Sequence, residues 1–296
     1  MRGINKNSFI GFFAGIITGI TYGFNPLFGL PLMKAGASIE AILFFRYAIS
    51  VVLLGIFIFL SNKSFRISWK QMGILLILGC LYTMSSIFLF EAYNYIASGL
   101  ATTLIFLYPV FVALIMVVLR VYPSWQVWLA ILATFVGVLL MTYSGDGQNI
   151  SMVGVLLSLG SALVYALFIV IINRSKAVST ISNSLLTFYS LFVGCIIFML
   201  KIVFGDSSIL TGIEGTTAWL NLLGLAILPT VVSTASLALA TRKIGPTKAS
   251  VLGVFEPITA ILIGAIAFSE PITMNILVGI VISMVAITFM ICSTKK

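Results

Sequence analysis

Residues 254–271 read VFEPITAILIGAIAFSEP. The dipeptide Glu-Pro occurs twice, at Glu256-Pro257 and Glu270-Pro271, with an almost wholly apolar run between the copies. If one copy marks the end of an apolar helix, the other falls deep inside that same helix. Neither residue is welcome there: a charge at the centre of a membrane helix costs about 2.5–3.5 kcal/mol, and proline breaks the backbone ladder.

The rest of the chain explains why such a helix is expected. Of 296 residues, 61% are hydrophobic and 8% charged, and the mean hydropathy is +1.22. Soluble domains carry about 25% charged residues, so this chain has too little polar surface to cover a water-soluble globule. The reading is an all-α integral membrane protein. The net charge of +9 does not indicate nucleic acid, because the basic residues sit singly or in small groups between apolar runs, as membrane-flanking anchors do. Cys80, Cys195 and Cys292 lie in apolar runs without pair spacing and read as small buried hydrophobes. There is no histidine, which excludes imidazole metal sites and histidine relays. Arg2 and Lys6 precede an apolar run that continues to Met33 without a small-residue cleavage pattern, so it reads as a retained first span.

Runs of about 20 apolar residues occur at 8–33, 40–60, 71–91, 98–119, 125–144, 151–172, 183–204, 218–241, 247–268 and 273–292, which makes ten transmembrane helices. With the N-terminus inside, all of the sixteen Lys and Arg except Lys34, Lys201 and Arg46 fall on the inner side. Every acid except Glu256 falls at or near the outer side. This asymmetry places both termini in the cytoplasm, in a cell (inner or plasma) membrane.

The two halves match each other. At one offset Tyr108-Pro109 meets Glu256-Pro257, Tyr122-Pro123 meets Glu270-Pro271, and Ala101 and Ile96 meet Ala249 and Ile244. At a slightly smaller offset Gly11, Gly15, Gly19, Tyr22 and Gly23 meet Gly154, Ser158, Ala162, Tyr165 and Ala166, while Thr18 meets Ser161 and Arg46 meets Tyr189. Residues 8–144 and 151–291 are therefore read as two five-helix repeats. An odd number of spans inverts the second copy, the arrangement many alternating-access transporters use, with a site near the midplane. The Gly11-Gly15-Gly19-Gly23 ladder is a small-residue face for tight helix packing.

Two five-helix halves with Leu-Tyr-Pro-Val at 107–110, Phe-Glu-Pro-Ile at 255–258 and Ser-Glu-Pro-Ile at 269–272 resemble the EamA family of the drug/metabolite transporter superfamily. The resemblance covers nearly the whole chain. It implies a ten-helix secondary transporter with a central cavity lined by helices 1, 3, 4, 6, 8 and 9, exporting amino acids, other metabolites or toxic compounds. One position departs from the family pattern: Tyr122 stands where a Glu usually precedes the fifth span.

Several residues are candidates for substrate binding or coupling. Glu256 lies close to the midplane; protonation, a buried cation or a watery cavity would each reduce its cost, and protons are the coupling ion it suggests. Pro257 and Pro109 each deny a donor to the carbonyl four residues earlier, Gly253 and Ile105, a break tolerated where backbone faces protein or a wet cavity. Arg46 can bind a substrate carboxylate or phosphate, snorkel to the outer interface, or pair with Glu91. Tyr22, Tyr82, Tyr108 and Tyr165 offer aromatic surface with a hydroxyl. Ser86 and Ser233, with Thr83, Ser85, Thr234 and Ser236, put hydroxyls on the third and eighth spans, where back-bonding within the helix competes. Glu270-Pro271 suits the start of the tenth helix. No nucleotide-hydrolysis motif or nucleophile triad is visible, so no enzyme, cofactor or metal is expected. The partners expected are a small-molecule substrate and the lipid bilayer, and the chain acts as a monomer or homodimer. A passive channel, or a flippase for lipid-linked substrates, is the alternative.

Overall fold

A computed structural model describes residues 6–96, 98–142, 151–205, 209–268 and 274–293, and all regular structure among them is helical. The first apolar run forms α1 (Lys6–Tyr22) and α2 (Asn25–Lys34), followed by α3 (Ile39–Leu60) and α4 (Trp69–Ala92). The fourth run divides into α5 (Ser98–Ile105) and α6 (Tyr108–Val118), and α7 (Trp125–Thr142) closes the first half. The second half contains α8 (Met152–Arg174), the short α9 (Lys176–Ser179), α10 (Asn183–Val203), α11 (Gly215–Ala226) and α12 (Ser233–Ile244). It ends with α13 (Pro246–Val251), α14 (Phe255–Phe268) and α15 (Met274–Ser293). Among the described residues, seven helical stretches are long and apolar enough to cross a membrane, and the apolar helices Tyr108–Val118, Trp125–Gly137 and Leu277–Ala286 are shorter.

Four apolar runs are interrupted, each beside a proline; the breaks at Pro109 and Pro257 are the ones the sequence leads one to expect, and those at Pro26 and Pro229 are not. The α1–α2 break at Gly23–Phe24 precedes Pro26, and the α5–α6 break at Phe106–Leu107 precedes Pro109. A π-helical turn, Ile227–Val232, joins α11 to α12 around Pro229. A 3₁₀ turn, Leu252–Val254, joins α13 to α14 just before Pro257. Proline lacks an N–H and crowds the preceding turn, so the helix must kink, tighten or bulge there. The Glu270-Pro271 pair lies outside the described residues, as do Asp146 and Asp206.

The halves interdigitate. Helix α1 lies along α12 and also against α13, the 3₁₀ turn and α14, while α8 lies along α4 and against α5 and α6. Helix α3 pairs with α10, and α7 with α15. The glycine ladder supplies the close approach. A Cβ at Gly11 would meet Ile244, one at Gly15 would meet Leu252, one at Gly19 would meet Phe255, and one at Gly23 would meet Thr259. The ladder is thus the seat of the interrupted helix α13–α14. Hydrogen bonds secure the neighbouring contact: Ser233 Oγ donates to the Thr18 carbonyl at 3.2 Å, and Thr18 Oγ1 donates to the Ala14 carbonyl at 2.8 Å. An ion pair, Lys201–Glu40 at 2.9 Å, joins the end of α10 to the first turn of α3.

Two of the three cysteines differ from expectation, and the Cys292 side chain lies outside what is described. Cys80 is exposed and Cys195 half-buried. A weakly polar thiol can face lipid as readily as the core, so apolar surroundings in sequence do not imply burial.

Replacing Gly19 by Val should lower the apparent unfolding temperature in detergent and cost about 1–3 kcal/mol, the usual range for overpacking. Gly73→Ala, where a Cβ meets nothing within 4 Å, should not lower it, since alanine suits a helix interior better than glycine. Equal stability of the two variants would remove the ladder from the packing account.

Candidate functional site

The two interrupted helices meet through one side chain. Tyr108, at the start of α6, is buried, and its hydroxyl fills the position that a Cβ of Gly253 would occupy. Gly253 sits in the 3₁₀ turn, so the break in one half receives a ring from the break in the other. Pro109 and Pro257 are both buried beside these breaks. The matched Tyr-Pro and Glu-Pro positions are therefore brought into one neighbourhood.

From Tyr108 an aromatic chain runs through the centre. Its ring is T-shaped on Tyr165 at 5.1 Å, and Tyr165 stacks on Tyr22 at 6.1 Å and on Phe168 at 6.1 Å. Phe168 meets Tyr82 at 5.3 Å, and Tyr82 stacks on Tyr47 at 5.8 Å. These rings come from α1, α3, α4, α6 and α8. Offset-stacked and edge-on pairs of this kind add roughly 0.5–1.5 kcal/mol each beyond burial. Buried hydroxyls favour a hydrogen-bond partner, and several here have one. Tyr82 Oη accepts from Thr234 Oγ1 at 3.2 Å, and Tyr47 shares a 2.7 Å hydrogen bond with Ser86. Ser85 and Ser161 share one of 3.0 Å. Ser86 and Ser233 are thus engaged in joining helices.

Glu256 lies at the first turn of α14 and is 6% exposed. Among the described residues its carboxylate makes no ion pair. The hydroxyls of Tyr22, Tyr93, Tyr108 and Tyr165 all lie within electrostatic reach of it. Tyr93, at the end of α4, was not singled out in the sequence; its side chain bonds to Thr102.

Arg46 neither snorkels nor pairs with Glu91. It is fully buried in α3, and Glu91 instead accepts from Asn94 at 3.2 Å. Nε of Arg46 donates to Thr230 Oγ1, and one terminal nitrogen donates to the Pro229 carbonyl at 3.3 Å. Thr230 Oγ1 in turn donates to the Leu225 carbonyl at 2.7 Å, and Ser50 Oγ donates to the Ala226 carbonyl at 3.1 Å. The π turn exposes carbonyls that these side chains satisfy, as hydrocarbon surroundings require. The other terminal nitrogen, Nη1, is buried without a hydrogen-bond partner. Tyr22, Tyr47, Tyr82 and Tyr93 lie within electrostatic reach of the guanidinium. Tyr47 and Thr230 carried no sequence signal of their own, although Pro229 inside an apolar run could have pointed to the bulge.

The EamA-like transporter family matches the chain over residues 9–143 and 152–292. An uncharacterized transporter of Synechocystis sp., sll1319, is 27% identical over 214 residues, 69% of this chain and 61% of that protein. The uncharacterized transporter YvbV of Bacillus subtilis is 25% identical over 215 residues, 68% of this chain and 66% of its own length. The aligned region thus spans about three fifths to two thirds of these curated relatives. A solved crystal structure superposes with a TM-score of 0.80, covering 97% of this chain and 98% of its own; at 14% identity it speaks for the fold alone.

A double-mutant cycle of Arg46→Gln and Thr230→Val should return a coupling of about 1–3 kcal/mol in unfolding free energy, as expected for a buried charged hydrogen bond. Additive losses would show that the two side chains do not act together.

Proposed function

We propose, from the premise that this chain belongs to the EamA-like transporter family and is a multi-pass membrane transporter, that it is a secondary exporter working by alternating access. The carrying observation is that the proline-broken helices of the two halves meet at Tyr108 and Gly253, beside an acid with no ion-pair partner among the described residues. Irregular backbone at membrane depth is characteristic of transporter sites and is stable only against protein or a wet cavity.

The ten-span, inverted-repeat reading draws support from the contacts. Helix α1 on α12 has its counterpart in α8 on α4, and α1 on α13–α14 has its counterpart in α8 on α5–α6. In this scheme both termini are cytoplasmic, the chain resides in the cell membrane, and the halves rock about the tyrosine-lined centre. The buried rings between the halves favour a carrier over a permanently open pore. The cargo is an amino acid or a similar small metabolite, held among Tyr22, Tyr82, Tyr108 and Tyr165. Arg46 positions the broken helix that lines the site.

Glu256 couples transport to protons. A carboxyl that is charged in one facing state and neutral in another needs no permanent counter-ion, which agrees with its lack of one. In proteoliposomes, an imposed proton gradient should drive movement of at least one compound from an amino-acid and metabolite panel. Glu256→Gln should fold with an unchanged unfolding temperature and lose the response to the gradient. A variant that transports with the wild-type pH dependence would overturn the coupling role.

A further inference from the structure

Away from the centre, a cavity of about 360 Å³ opens between the α3–α4 connection and the turn before α10. Lys63, Arg66, Gln71, Thr180 and Ser182 are among its lining residues. Its lining holds two cations and no acid, and among the described residues neither Lys63 nor Arg66 forms an ion pair. The volume takes a phosphate group together with several waters, at roughly 30 Å³ per water.

The walls of this cavity are braced. Gln71 Nε2 donates to Thr180 Oγ1 at 3.2 Å, across the two connections. Gln71 also closes a capping box with Ser68 at the start of α4. Tyr189 Oη donates to the Phe65 carbonyl at 2.7 Å, and the Arg242 guanidinium donates to the Ile181 and Val178 carbonyls. The ammonium of Lys63 lies over the Phe57 ring at 5.2 Å, a cation–π contact that directs it. Two cations on a fixed frame, with hydroxyl and amide groups beside them, suit an anion with several oxygens.

The surroundings add a second requirement. Phe57, Phe59 and Leu60 at the end of α3 and Trp69 at the start of α4 bracket in sequence the segment that carries Lys63 and Arg66, and all are exposed, Trp69 to 92%. Exposed aromatic and aliphatic side chains beside cations are the pattern of a membrane–water interface. Basic pockets between helices at such an interface bind lipid phosphates.

We propose that this cavity binds a phosphate group, supplied by the headgroup of an anionic phospholipid or by free phosphate. The oxygens lie between Lys63 and Arg66. With a lipid, the acyl chains lie over Phe59, Leu60 and Trp69. The bound group joins the α3–α4 connection to the α9–α10 turn, and so holds that end of the bundle together.

The test uses the full chain in neutral detergent, with binding read by native mass spectrometry and by thermal shift. Phosphatidylglycerol, phosphate-free diacylglycerol and inorganic phosphate are titrated against wild type, Lys63→Gln/Arg66→Gln, and the charge-matched control Arg174→Gln/Lys176→Gln. Phosphatidylglycerol binding should weaken roughly 30-fold in the cavity variant, from two lost surface cations, and remain within about twofold in the control. If inorganic phosphate alone gives the same variant-sensitive shift, free phosphate suffices and the site stands. If only phosphatidylglycerol does, the headgroup is the ligand. Equal affinity in all three proteins, or diacylglycerol binding as well as phosphatidylglycerol, overturns the proposal. Should the cavity variant unfold, wild-type phosphatidylglycerol binding that does not fall with added salt overturns it as well.

Discussion

An unpaired carbonyl has no water to turn to in hydrocarbon, and that constraint governs this structure more than any other. Prolines 26, 109, 229 and 257 each stand at an interruption of an apolar helix. A soluble protein could leave such breaks to solvent. Here they have to be satisfied from within, and the clearest case is Pro229. Its turn widens to a π-helix, and Thr230, Ser50 and Arg46 then donate to the carbonyls of Leu225, Ala226 and Pro229. A buried arginine that the sequence leaves open between a structural and a ligand role is, in the fold, bonded to the opened turn between α11 and α12.

The second consequence concerns distance. Interrupted helices can carry side chains into the middle only if their neighbours stand close, and in lipid no hydrophobic drive brings them together. The glycines of α1 remove side-chain bulk where Leu252, Phe255 and Thr259 press against it. Gly253 does the same for the Tyr108 ring. The small residues and the prolines therefore serve one arrangement: prolines open the backbone, and glycines let the opened segments dock.

Much of this was legible beforehand. The apolar runs located the helices, the repeated Tyr-Pro and Glu-Pro located two of the breaks, and the glycine stripe marked a packing face. The destination of Arg46 was not legible, because its partners lie in the other half of the chain and nothing local points to them. Tyr47 escaped notice for the same reason, since its value depends on stacking against Tyr82 and bonding to Ser86. Exposure was also misread at Cys80, where apolar neighbours in sequence cannot distinguish a core-facing from a lipid-facing position. The breaks at Pro26 and Pro229 were not legible in the same way, because hydropathy is blind to a proline that leaves a run apolar and neither has a repeated motif to mark it.

Arg46 and Glu256 show how the same medium treats two buried charges differently. Both face the tyrosines, and Tyr22 and Tyr93 lie within electrostatic reach of each, yet they form no ion pair with one another. A guanidinium keeps its charge under all ordinary conditions. It can be buried only where permanent acceptors meet it, and the opened carbonyl of Pro229 and the Thr230 hydroxyl provide them. A carboxyl can give up its charge by taking a proton. It can therefore stand at a broken helix without a fixed partner, while a permanent cation there would need one. The fixed charge belongs at the mended helix, and the removable one belongs at Glu256, opposite the uncharged Tyr108 of the matching half.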